Sequence, residues 1–180
     1  MIALEKIKEI ITGGGFNTTR VIPLRDFCLA SDAAELTTTL TTNPGWILAD
    51  TNIPVLGWAA TKVVEAAISV QVPDDYDESD DEFKILFKAK MGGTTDVTTA
   101  FTYDVFKASA GTTDLAEADS DYLTSAYQWI ELDLSGESLT AGEVITVQIA
   151  PGTHGTDAVY IAAAKIKYRS DLCHYAEDDR

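Results

Sequence analysis

The chain is poor in several residue types that most soluble chemistry depends on. Among 180 residues there are two cysteines, two histidines, two methionines and five prolines. Cys28 and Cys173 stand far apart and form no closely spaced thiol pair, and with two scattered histidines they leave no cluster of three or four zinc ligands. A bridge across so long a loop would be stabilising in the loop-entropy picture. No export signal accompanies the pair, however, and two reduced thiols are the simpler expectation. His154 lies in a Gly-containing loop and His174 follows Cys173 near the C-terminus, so neither has the neighbouring nucleophile and orienting acid that covalent catalysis requires. No glycine-rich loop runs into Lys-Ser or Lys-Thr, which disfavours nucleotide binding. No enzyme activity and no cofactor are expected.

Positive charge is scarce as well. Thirteen Lys and Arg oppose 29 Asp and Glu, for a net charge of −16. Gripping phosphates requires clustered cations, so nucleic acid and anionic membranes are not expected partners. No window approaches the 18 apolar residues of a membrane-spanning helix. The opening MIALEKIKEIITGGG interrupts its apolar residues with Glu5, Lys6, Lys8 and Glu9, unlike the apolar core of a signal peptide. The expectation is a chain made and kept soluble in a cytosol.

What is present reads as a β-domain. Hydrophobic residues make up 46% and charged residues 23%, a globular composition, and there are 22 threonines, which suit pleated strands and turns. Period-two alternation marks residues 20–30, 66–72, 81–91, 100–108, 128–134, 143–150 and 158–169. In 81–91, Phe83, Ile85, Phe87, Ala89 and Met91 face one way, and Lys84, Lys88 and Lys90 make a wet face. In 128–134, Ile130, Leu132 and Leu134 oppose Trp129, Glu131 and Asp133. Short strands without intervening helices indicate an all-β sandwich, jelly-roll-like with about eight strands, and an immunoglobulin-like sandwich is the runner-up. Three parts are expected: an N-terminal arm and Gly hinge over 1–19, the β-sandwich over 20–172, and a tail over 173–180. The arm, helical or extended, spaces Ile2, Leu4, Ile7, Ile10 and Ile11 as an apolar stripe before three glycines. Ten residues are too few for a stable isolated helix, so the stripe must pack on its own domain or on a neighbouring subunit.

The negative charge is uneven: residues 71–143 hold 17 acids and 4 bases, a net −13. The run PDDYDESDDE (73–82) alternates carboxylates as a calcium loop does, but Asp80 stands at the turn-glycine position and Leu86 at the bidentate-Glu position. It is expected to be a solvated loop between strands, with a looser calcium site as the alternative. Glu131 and Asp133 form a same-face acid pair, weak grounds for a glycoside hydrolase. Trp46, Trp58 and Trp129 are candidates for core packing, a subunit interface or a sugar-stacking platform. Trp129, on the polar side of its strand, is the best candidate for an exposed ring.

The segments AAISVQVPDDYDESDDEFKILFKAKM and EVITVQIAPGTHGTDAVYIAAAKIKYRSDL resemble small acidic β-sandwich virion proteins of tailed bacteriophages, including head decoration (cement) proteins. The resemblance spans about residues 20–172 and rests on general pattern. It implies a structural protein on the capsid exterior, made in the host cytoplasm, with the major capsid protein and its own copies, as a homotrimer, for partners. On that expectation the arm residues Ile2, Leu4, Ile7, Ile10 and Ile11, with Trp46 and Trp58, would meet the partners. The alternative is a carbohydrate- or receptor-binding β-sandwich module of tail or adhesin type, using Trp129, Tyr127 and neighbouring acids.

Overall fold

Alternating sequence becomes sheet wherever a strand finds partners on its edges, and here most of the alternating segments do. The computed structural model describes residues 16–50, 52–94, 98–99, 101–109, 115 and 122–171. The arm with Ile2, Leu4, Ile7, Ile10 and Ile11, and the tail over 173–180, lie outside them. In chain order the strands are β1 (Phe16–Ile22), β2 (Cys28–Leu29), β3 (Gly45–Ala49), β4 (Ile53–Trp58), β5 (Ala66–Gln71), β6 (Phe83–Met91), β7 (Thr98–Thr99), β8 (Phe101–Lys107), β9 (Tyr122–Leu123), β10 (Gln128–Asp133), β11 (Val144–Pro151) and β12 (Val159–Ser170). The larger sheet runs β10-β6-β12-β4-β3, with β1 also on β12. The smaller runs β2-β5-β11-β8, and β7 pairs with β9 alone. All the pairings between named strands are antiparallel. The architecture is the expected jelly-roll-like all-β sandwich. Twelve strands appear among the described residues against the eight or so expected, partly because β2, β7 and β9 are two residues long.

The expected single strand over 20–30 is two strands in different sheets. Pro23 has no N–H to give a ladder and follows directly on β1. A 3-10 turn, Leu24–Asp26, then carries the chain across to the smaller sheet, where Cys28 and Leu29 pair with Ala67 and Ala66.

The core fills the space between the sheets. Phe83, Ile85, Phe87, Ala89 and Met91 of β6 are fully buried, as are Val105 of β8 and Ile145, Val147 and Ile149 of β11, all in one cluster. Aromatic rings join the layers: Phe87 stacks on Tyr103 at 5.9 Å, and Trp58 meets Phe101 at 6.3 Å. Each such pair adds about 0.5–1.5 kcal/mol beyond its buried area.

The acidic run 73–82 joins β5 to β6 as expected, but its carboxylates are anchors. Asp75 accepts hydrogen bonds from the Ser170 hydroxyl (2.7 Å), the Tyr168 phenol (2.9 Å) and Arg20 Nη2 (2.7 Å). Asp77 accepts from the Ser79 hydroxyl (2.6 Å), Asp80 pairs with Arg169 (2.9 Å), Asp81 accepts from Tyr76 (2.8 Å) and Glu82 pairs with Lys167 (2.7 Å). The carboxylates thus diverge to separate partners, and no group of three or more metal-ligand side chains forms among the described residues.

Burial raises the Asp75 pKa, but Ser170, Tyr168 and Arg20 together outweigh it and hold the group below its ordinary 3.8. A carboxylate depressed in this way stabilises the fold above pH 3.8, and the contribution is lost as pH falls through the lower folded value. Asp75→Asn is therefore expected to cost about 1–3 kcal/mol at neutral pH. In denaturant titrations against pH its stability should be flatter than wild type below about pH 4.

Candidate functional site

The site follows from how β12 is shared. Along one edge it pairs with β6 from Val159 to Tyr168, with a bulge between Ile161 and Ala163. Along the other edge Val159–Ile161 pair with Trp58, Gly57 and Leu56 of β4, and residues 164–170 pair with Ile22 through Phe16 of β1. Two strands thus occupy one edge, end to end. The β3–β4 hairpin cannot continue in the sheet plane past Leu56, because Ile22 already holds Ala164. It leaves the plane toward the outer face. At its tip Asp50 reaches Lys90 Nζ at 2.6 Å, although Lys90 belongs to β6, on the far side of β12. Val55 and Ala49 on the underside of the hairpin are buried, while Leu48 on its upper side is 64% exposed.

Under the hairpin tip, Lys90 lies between Tyr127 and Tyr160. It sits directly across from Tyr160 on β12, with its ammonium 4.8 Å from the Tyr127 ring centroid. This explains why Lys90, expected on a wet face, is 9% exposed. Tyr160 fits because its neighbours are glycines. A Cβ at Gly57 would stand 3.1 Å from the ring, and one at Gly92 3.0 Å. Burial pushes the Tyr127 phenol pKa up.

The next row of the face is open. Trp129 is 42% exposed and lies opposite Lys88 in the β10–β6 register, with Lys165 Nζ 4.4 Å from its ring centroid. One row further, Glu131, Leu86 and Lys165 stand side by side across β10, β6 and β12, followed by Val21 on β1. Beyond them Lys84 binds both Glu131 and Asp133. Those two hydrogen bonds raise the Lys84 pKa. Burial raises the Asp133 pKa, but Ser135 and Lys84 outweigh it and leave it lowered. The result is a sheet face with one exposed indole, two tyrosines walled by a hairpin tip, and a border of fixed charges.

The candidates from sequence divide. Tyr127 and Trp129, two residues apart, both stand against lysines of the outer face, Lys90 and Lys165 respectively. Trp58 has no exposed surface and donates its indole N–H to Val64 O at 2.7 Å, so it is a core residue that no partner reaches. Trp46 lies away from the face, in a groove of about 510 Å³ with Leu24, Arg25, Leu48 and Pro54. His154 is buried, its ring nitrogens 2.8 and 3.0 Å from the carbonyl oxygens of Gly152 and Ala59, which ties the loop before β12 to the end of β4. Tyr160 and the Lys88–Lys165 pair escaped the sequence reading, although the alternation of 81–91 already placed Lys88 on the outer side.

No family model matches the chain, and no curated protein sequence does. Solved structures match its shape. The family 30 carbohydrate-binding module of a cellulosomal cellulase from Clostridium thermocellum is 13% identical, covers 83% of this chain and 96% of its own, and superposes with a TM-score of 0.51. The fold is one that carbohydrate-binding modules share. The family 11 module from the same organism, solved with a β-1,3-1,4-mixed-linked tetrasaccharide, is 10% identical over 85% of this chain and 97% of that one, with a TM-score of 0.48. A Stig cyclase from Fischerella sp. TAU is 10% identical over 91% and 94%, with a TM-score of 0.49. At these identities the likeness is one of fold alone.

If the Asp50–Lys90 pair holds the hairpin down, Asp50→Asn, which keeps a residue tolerant of the φ of 48° at this position, should loosen it. Loss of a partly exposed ion pair is worth about 1 kcal/mol. Amide exchange within β3 and β4 is then expected to quicken roughly fivefold, with β11 unchanged.

Proposed function

We propose that the chain is a non-catalytic binding module that takes a glycan on the outer face of the larger sheet. One observation carries the reading: Trp129 stands exposed on that face, beside Tyr127 and Tyr160, within a frame of polar side chains. A pyranose presents an apolar face of C–H bonds and a rim of hydroxyls. An indole set among fixed donors and acceptors matches both, the ring supplying contact area and the rim groups fixing orientation. Strands position these side chains, so the backbone of the platform is preformed, and binding has only to move the Lys165 ammonium off the Trp129 ring.

The acid pair on the same face supports binding without hydrolysis. A glycosidase acid needs a raised pKa, whereas Asp133 is lowered and both it and Glu131 are tied to Lys84. The virion-decoration expectation placed its contacts on the N-terminal arm, outside the described residues, and on Trp46 and Trp58. The outer face favours the glycan reading, with Trp129 in place of Trp58 as the contact ring.

On a glycan array, wild-type protein is expected to bind at least one oligosaccharide class and Trp129→Ala to lose that signal, with affinity down about tenfold or more. Trp46→Ala should leave it unchanged. A wild-type chain that binds no glycan, or equal binding by the Trp129 variant, contradicts the reading.

A further inference from the structure

The outer face gathers cations on a strongly acidic chain. Lys84, Lys88 and Lys90 of β6 and Lys165, Lys167 and Arg169 of β12 all project there, six of the thirteen Lys and Arg in the sequence. Four of them are neutralised: Lys84 by Glu131 and Asp133, Lys90 by Asp50, Lys167 by Glu82 and Arg169 by Asp80. The remaining two are the ones beside the exposed indole. Lys88 lies directly across from Trp129 and has no carboxylate at ion-pair distance among the described residues. Among the described residues Lys165 likewise has no carboxylate at ion-pair distance, and its ammonium lies over the Trp129 ring, 4.4 Å from the centroid.

Among the described residues Arg25, Lys62 and Lys107 also lack a carboxylate at ion-pair distance, but Lys88 and Lys165 are the two that flank Trp129. We infer that the saccharide bound on this face is acidic, carrying carboxylate or sulfate groups that draw the Lys165 ammonium off the indole it lies over and that Lys88 and Lys165 then receive, while a sugar ring takes the vacated place on Trp129. The inference rests on the glycan-binding reading and names its substrate class.

Three physical points support it. The two ammonium groups belong to neighbouring strands at adjacent rows, a separation that matches charged groups projecting from one or two stacked sugar residues. A charge-assisted hydrogen bond from ammonium to carboxylate or sulfate is about twice as strong as a neutral one, so each lysine contributes both affinity and selection against neutral sugars. The overall negative charge does not oppose this, because exposed charges more than about 8 Å away are largely screened at physiological salt.

The test is calorimetric titration of the full chain with three probes: a neutral cello-oligosaccharide, an oligogalacturonate and a heparin-derived sulfated oligosaccharide. At least one acidic probe is expected to bind, more weakly as salt is raised, and the tighter of the two identifies the anionic group. Lys88→Met and Lys165→Met, which keep the apolar stems, should each weaken that binding about tenfold. Lys88→Arg should restore most of it, and unchanged near-UV circular dichroism will show that the variants fold. Tight binding of the neutral probe alone, indifferent to both Met substitutions, overturns the acidic inference and leaves glycan binding standing. Failure of both acidic probes overturns the acidic inference, and the glycan array then decides separately whether glycan binding stands.

Discussion

The two-sided use of β12 is the constraint on which the rest of the molecule depends. A strand has two edges, and each residue can pair once on each. On one edge β6 is continuous; on the other β1 and β4 divide the length between them, with a bulge near the junction. Because β1 takes the lower half, the β3–β4 hairpin must leave the sheet, and it closes over one end of the outer face. The same junction sends β1, through Pro23 and its 3-10 turn, into the other sheet. A single pairing conflict thus produces the crossover between layers, the wall over Tyr127 and Tyr160, and the groove beside Trp46.

Charge is organised around this frame rather than spread over a surface. The run 73–82 looks like a solvated acidic loop in one dimension, but in three its carboxylates draw donors from β1 and β12 and pin the loop across the end of the sandwich. On the outer face the acids pair off four of six cations. Positive charge is a scarce quantity on a chain of −16, and two lysines without a carboxylate partner flank the exposed ring. The chemistry of the site lies in what the acids leave unpaired.

How much of this was legible in the sequence depends on whether the signal was local. Period-two alternation placed β5, β6, β8, β10, β11 and β12 within a residue or two, and it put Trp129 on the polar side of its strand. It could not show that residues 20–30 belong to two sheets, because Pro23 marks an interruption without saying where the chain goes next. The β3–β4 hairpin carried little alternation. Pro54 and Gly57 weaken its pattern, and its underside is buried by a fold-over that depends on β1. Alternation singled out Trp129 as the exposed ring, but only the pairing register shows that Trp58 belongs to the core. The lysines were visible one by one, but their freedom from carboxylates appears only when β6 and β12 lie side by side.

At the centre of all this is one geometric relation: β1 displaces the hairpin, and the displaced hairpin covers the end of a face that is otherwise open. Nuclear Overhauser contacts in the isotopically labelled protein address it most directly. Contacts are expected between the side-chain protons of Asp50 and the terminal methylenes of Lys90, together with cross-strand contacts between Ile22 and Ala164. Absence of the first, with Val55 and Ile53 instead paired in plane along β12 in the places that β1 occupies, would contradict it.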